Sequence, residues 1–169
     1  ETLLHTQIYR RIPGTGAVLH PHSVNATLLS RRHACAPVIL QNYELLKALP
    51  GITTHATKIQ VPVFGNDQNI ERLAREVDAY MATHDPVYGY LIGSHGFYTW
   101  GATVDDALNR VEAFEFLFEC EIRGGKQLAD CPFIQRRIRL PGRLTISTAS
   151  PPNWEKSVCS SSAGGPISR

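Results

Sequence analysis

Three histidines carry the chemistry that this sequence suggests first. His20 and His22 stand one residue apart in "AVLHPHSVNATLLSR", at the end of an apolar run. In an extended strand, side chains at i and i+2 project from one face. Two such positions lie about 6–7 Å apart along the strand. Imidazoles so placed can share one divalent metal such as zinc, a borderline-soft ion that accepts neutral nitrogen ligands. Pro21 between them suits an extended segment and stiffens it. A bare H-x-H is equally compatible with two ordinary half-buried or surface histidines. His95 is the third candidate, in "LIGSHGFYTWG", where an apolar strand runs into a turn flanked by Gly93 and Gly96. These glycines are expected to free the backbone to bend there. Ligands are often carried on such turns, held by a rigid scaffold. The competing reading is a turn histidine making a local hydrogen bond.

Three histidines would leave one position of a four-coordinate zinc open, which is the arrangement of catalytic rather than structural sites. A proton-transfer group is then needed. Glu44 in "QNYELLKAL" is the candidate, because Tyr43, Leu45 and Leu46 surround it near a helix start. Partial burial there is expected to raise its pKa and suit it to acid/base work. The alternative is a solvated glutamate on a helix surface. His5, His33 and His84 read as surface residues, and His55, in a polar loop, is left open. Phe97, Tyr98, Trp100, Phe114, Phe116 and Phe118 read as core rather than as a cofactor box. The sequence holds no complete G-x-G-x-x-G, P-loop or G-x-S-x-G motif.

The elements that must position these residues follow from periodicity and from turn residues. Residues 2–12 have helical spacing and end at Pro13-Gly14. Residues 17–22 read as a short strand. Ser23 caps a helix running to Ser30. Pro37 to Leu40 is a second short apolar run. Residues 42–49 read as a helix with Asn42 as a possible cap. Residues 58–64 alternate as one strand with Pro62 at an edge or end. Residues 66–84 form an amphipathic helix with an apolar stripe of Ile70, Leu73, Val77, Tyr80 and Met81. Residues 87–101 give two strands and a glycine turn. Residues 103–123 form a long helix opened by Thr103 with Asp106 three positions on, a capping-box arrangement.

Composition bounds the class. The chain has 169 residues, 43% hydrophobic and 19% charged, with a net charge of +2. That suits one globular domain and argues against a transmembrane helix. Four cysteines (Cys35, Cys120, Cys131 and Cys159) show no C-x-x-C spacing, so reduced, buried thiols in a cytoplasmic protein are expected. Character changes after Arg123. Residues 1–123 hold ten basic and thirteen acidic residues, whereas residues 124–169 hold seven basic and two acidic. The second segment is rich in Ser, Pro and Gly and is expected to be a disordered basic tail. It lacks the aromatic interleaving or motif of a nucleic-acid binder, so no nucleic-acid partner is assigned.

"AVLHPHSVNATLLSR", "NYELLKALPGITTHATKIQVPVFGNDQNI" and "YLIGSHGFYTWGATVDDALNRVEAFEFLFECEI" together resemble the methylthioribulose-1-phosphate dehydratase family of the class II aldolase/adducin superfamily. The resemblance runs from Glu1 to about Arg123 and rests on H-x-H-S, Y-E-L-L-K-A-L and H-G-x-Y-x-W-G in family order. It implies an α/β class: an α/β/α sandwich around a mainly antiparallel sheet, here short of the family's N-terminal strands and phosphate-binding loops. It implies one Zn2+ per subunit held by His20, His22 and His95, with Glu44 as catalytic acid/base. The implied reaction is dehydration of 5-methylthioribulose 1-phosphate to 2,3-diketo-5-methylthiopentyl 1-phosphate, in methionine salvage. A sugar-phosphate partner, a homotetramer and a cytoplasmic location go with it. The sequence departs from the usual family pattern at Pro21, commonly threonine, and at Gly93-Ser94, commonly Arg-Gly. A sugar-phosphate aldolase of the same superfamily, and a truncated remnant or interaction module, are the alternatives.

Overall fold

The computed structural model describes residues 1–34 and 36–124. Cys35, Cys131, Cys159 and the expected tail from residue 125 onward lie outside the described residues. In chain order the elements are α1 (Thr2–Arg11), β1 (Ala17–Leu19), α2 (Val24–His33), β2 (Val38–Gln41), a 3₁₀ turn (Glu44–Ala48), β3 (Lys58–Val61), β4 (Val63–Phe64), α3 (Ile70–Thr83), β5 (Gly89–Ile92), β6 (Gly96–Gly101) and α4 (Val104–Gly124).

The main sheet has the order β1-β6-β5-β4. β1 with β6 and β5 with β6 pair antiparallel, and β4 with β5 pairs parallel. Because side chains alternate across a strand, each strand feeds two cores. Tyr90, Ile92, Tyr98 and Trp100 face one side, packed with Leu4 and Ile8 of α1 and with Leu73, Val77, Tyr80 and Met81 of α3. Leu91 and Phe97 face the other side, packed with Ala26 and Leu29 of α2 and with Phe114, Leu117 and Phe118 of α4. The result is mixed α/β, with helices on both faces of a mostly antiparallel sheet, as expected. A second ribbon, β2 with β3, runs antiparallel and adds Val38, Leu40, Ile59 and Val61 to the α2–α4 side.

Helix starts follow their side-chain chemistry. Ser23 Oγ accepts from the Ala26 N–H at 2.9 Å, and Asn69 Oδ1 from the Arg72 N–H at 3.0 Å. Thr103 and Asp106 cap each other's backbone at 3.0 and 3.1 Å, the reciprocal arrangement anticipated.

Five local expectations need correction. Residues 58–64 are two strands in different sheets rather than one. Pro62 has no N–H for a ladder, while its carbonyl accepts from Leu91 and starts the parallel pairing. Residues 42–49 make one tight 3₁₀ turn rather than a helix, and Asn42 sits in the left-handed region (φ 61°) instead of capping. Asparagine tolerates that conformation, and Pro50-Gly51 leaves room for a single turn. The strand at 17–22 ends at Leu19, since Pro21 cannot donate to a ladder. Phe116 is 54% exposed, whereas the other five aromatic residues of its set are core. At about 100° per residue on a helix, it points away from the face that Phe114, Leu117 and Phe118 present. Ile70 is half-buried, and Ala74 completes the stripe of α3. Among the described residues no helix is long and apolar enough to cross a membrane, and Cys120 is half-buried with a free thiol.

The two phenylalanines of α4 give a direct check. Phe114→Ala removes a fully buried ring and is expected to cost about 3–5 kcal/mol, whereas Phe116→Ala stays within about 0.5 kcal/mol. Urea unfolding of both variants, followed by circular dichroism, measures the contrast. Equal losses would refute the assigned faces of α4.

Candidate metal centre

The centre is built where the chain leaves β1 and crosses the start of β6. Leu19 pairs with Thr99, and the next residues continue alongside Phe97 and Gly96. The Phe97 N–H donates to the Pro21 carbonyl at 3.2 Å. His20 Nδ1 lies 2.8 Å from the Phe97 carbonyl oxygen. That oxygen can only accept, so Nδ1 carries the proton and Nε2 keeps its lone pair. The His20 ring also stacks on Tyr98, with centroids 3.9 Å apart and planes 13° apart. Burial lowers the His20 pKa as the largest influence, against the raising effect of the Phe97 bond, and so favours the neutral imidazole.

Gly96 permits this approach, but not through an unusual backbone angle. A Cβ built there would lie 2.5 Å from the Pro21 oxygen and 3.3 Å from both His20 Cε1 and His22 Cα. Glycine is required because two backbones lie that close. The left-handed residue of the turn is Ser94 (φ 56°), not a glycine, which corrects the expectation from sequence. The turn closes through the His95 N–H and the Ile92 carbonyl at 3.1 Å.

The three candidate histidines come together. His20 Nε2 and His22 Nε2 are 3.1 Å apart, and so are His22 Nε2 and His95 Nε2. Tetrahedral zinc with Zn–N of about 2.0–2.1 Å places its nitrogens about 3.3–3.4 Å apart, so the donor set fits such an ion. Nitrogen lone pairs facing each other at this range repel unless a proton or cation lies between them. A fourth donor was not anticipated. Glu1 Oε1 lies 3.5 Å from His95 Nε2 and 3.8 Å from His20 Nε2. The ligand atoms of Glu1, His20, His22 and His95 all lie within 4.8 Å of one another.

Glu44 is not in that group. It opens the 3₁₀ turn with its side chain 72% exposed, bonded to Lys47 Nζ at 2.5 Å and 3.7 Å from His55 Nδ1. Its pKa is lowered, first by the Lys47 hydrogen bond. The expectation of a partly buried, raised carboxyl is therefore corrected: the flanking apolar Leu46 turns inward while Glu44 points to solvent and its cation. His5 also departs from its surface reading. It is half-buried, edge-on to Tyr98 at 5.2 Å and 6.4 Å from the His20 ring. His84 is likewise half-buried, stacked on Tyr80 at 3.9 Å. No spacing in the sequence ties Glu1 to His20; only the docking of α1 on the sheet brings it there. Glu1 and His5 are four residues apart, on one face, next to the buried Leu4 and Ile8.

The profile of the class II aldolase and adducin N-terminal domain matches residues 1–122. The chain is 63% identical to methylthioribulose-1-phosphate dehydratase of Methylococcus capsulatus over 123 residues, 73% of this chain and 60% of that protein. It is 58% identical over the same shares to the enzyme of that name from Pseudomonas aeruginosa strain PAO1. The chain thus spans about 60% of the length of these curated relatives. In three dimensions it resembles L-fuculose-1-phosphate aldolase from Thermus thermophilus, with a TM-score of 0.55 at 20% identity, covering 78% of this chain and 64% of that one. The structural likeness bears on the fold alone.

Two glycine substitutions separate close approach from turn flexibility. Gly96→Ala is expected to cost about 1–3 kcal/mol, because its methyl meets main chain rather than a yielding side chain. Gly93→Ala meets only ordinary contacts, the nearest at 3.4 Å, and should stay within about 0.5 kcal/mol. Urea midpoints of the two variants decide it, and a tolerated Gly96→Ala would contradict the packing described.

Proposed function

This chain belongs to the class II aldolase and adducin family, and on that footing we propose that it carries the zinc site of a methylthioribulose-1-phosphate dehydratase. The observation that carries this reading is the convergence of the three histidine Nε2 atoms, in a chain 63% identical to a protein of that name. The aldolase alternative draws only on likeness of fold.

In this reading His20, His22 and His95 would hold the ion, and the Glu1 carboxylate lies beside that donor set. The Phe97 carbonyl presents the correct tautomer of His20, as an outer-shell partner does for a metal-bound imidazole. Zinc bound there supplies Lewis acidity toward the C2 carbonyl of the ketose phosphate, lowering the cost of the charge that appears when C3 loses its proton. Glu44 is the residue proposed to move protons. Exposed, with its pKa lowered first by the Lys47 hydrogen bond, it would enter the reaction ionised, as a base. The C3 proton passes to its carboxylate, the C4 hydroxyl departs with a proton as water, and the resulting enol becomes the 2,3-diketone. No residue is assigned to the substrate phosphate. A homotetramer in the cytoplasm belongs to the same proposal and rests on the family resemblance.

The full chain is expected to bind one zinc per subunit, measured by mass spectrometry of metal content after dialysis. His20→Ala should lose it, and Glu44→Gln should keep it while turnover of 5-methylthioribulose 1-phosphate disappears. Full zinc content in His20→Ala would remove the ligand assignment. Near-normal kcat in Glu44→Gln would remove the base.

A further inference from the structure

Two hydroxyls on α2 lie outside the metal cluster yet hold the turn that carries His95. Ser30 is 2% exposed. Its Oγ accepts from the Ser94 N–H at 3.0 Å and donates to the Thr27 carbonyl at 3.0 Å. Thr27 Oγ1 lies 3.2 Å from the His95 carbonyl and 2.7 Å from that of Ser23, so its one proton is shared between them. Bonds from Ser and Thr to carbonyls one turn back are ordinary within helices. The bonds to Ser94 and His95 are not of that kind, because they cross from α2 to a turn more than sixty residues on.

The placement has a consequence for the site. Ser23, Thr27 and Ser30 are spaced four and three apart, on one face of α2. That helix starts immediately after His22. One rigid element therefore carries one donor at its N-terminus and grips the turn of another donor along its side. What it grips is the strained part of the turn, since Ser94 is the left-handed residue (φ 56°) and its N–H has Ser30 as partner. We propose that Thr27 and Ser30 are positioning residues that set His95 at its 3.1 Å spacing from His22. The inference rests on the zinc reading of the cluster. Neither hydroxyl belongs to the donor cluster. Each acts through His95.

The test uses the full chain with Ser30→Ala, Thr27→Val and the hydroxyl-retaining Thr27→Ser. Zinc affinity is read by competition with a chromophoric chelator, and donor geometry by the visible spectrum of the cobalt(II)-loaded chain. Ser30→Ala and Thr27→Val should weaken zinc binding about 10–100-fold, the range for lost outer-shell partners, and shift the cobalt bands. Thr27→Ser should restore both. Thr103→Ala, which loses a helix cap on α4 far from the turn, controls for general destabilisation and should leave affinity and spectrum unchanged. If Ser30→Ala fails to fold by circular dichroism, Thr27→Val alone carries the test. Wild-type affinity and spectrum in a folded Thr27→Val overturn the inference while leaving the zinc reading intact. A wild-type chain that takes up no zinc overturns the reading and the inference together.

Discussion

The site depends on one close approach, the Pro21 segment lying against the main chain of Gly96 and Phe97. The antiparallel pairing of β1 with β6 brings the two together, and the register Leu19↔Thr99 decides which residues meet. A slip of one residue would turn every side chain to the opposite face of the sheet. His20 would then meet a different carbonyl and lose the partner that sets its tautomer. Phe97 offers its carbonyl to His20 and its N–H to Pro21, so one residue of β6 satisfies both groups of the crossing segment. His95 precedes Gly96 directly. The contact that orders His20 therefore also fixes where the third imidazole can stand.

The two cores on either side of the sheet then supply different parts of the centre. α1 packs with Leu4 and Ile8 on the face of Tyr98, and the same turn of helix delivers Glu1 and His5. Tyr98 is shared between these roles: it fills the core, stacks on His20, and receives the edge of His5. α2 packs on the opposite face through Ala26 and Leu29 and presents its hydroxyl side to the turn of His95. Displacing either helix would thus move a donor: Glu1 with α1, His22 with α2. Buried rings and methyl groups provide the stiffness, and polar contacts provide the direction.

Much of this was legible in the sequence because it is local. The Ser23 start, the Thr103–Asp106 box and most of the stripe of α3 rest on neighbours within a few residues, whereas the helix expected from residue 66 starts only at Ile70, capped by Asn69. The H-x-H pair and His95 were recognisable as donors from residue type. What escaped depended on distant partners. Pro62 looked like a strand end, but its role as the point where the chain changes sheets requires knowing where β5 runs. Gly96 looked like a hinge, whereas it is a space for Pro21, a residue remote from it along the chain. Glu1 carried no spacing signal toward His20, since only the docking of α1 on the sheet closes that gap. The exposure of Glu44 escaped because apolar neighbours in sequence do not bury a side chain when the turn is 3₁₀ and points it outward.

The two carboxylates differ in a way that bears on their work. Glu1 stands among imidazole nitrogens, where its negative charge is attracted by any cation that the histidines hold. Glu44 stands with Lys47 and His55, at a site that is wet rather than desolvated, and the lysine hydrogen bond lowers its pKa. A general acid needs the opposite, a carboxyl that holds its proton near neutral pH. The surroundings of Glu44 favour the ionised form, and a carboxylate with a lowered pKa is also the weaker base. The charge partner, more than burial, sets the direction in which this carboxylate can serve.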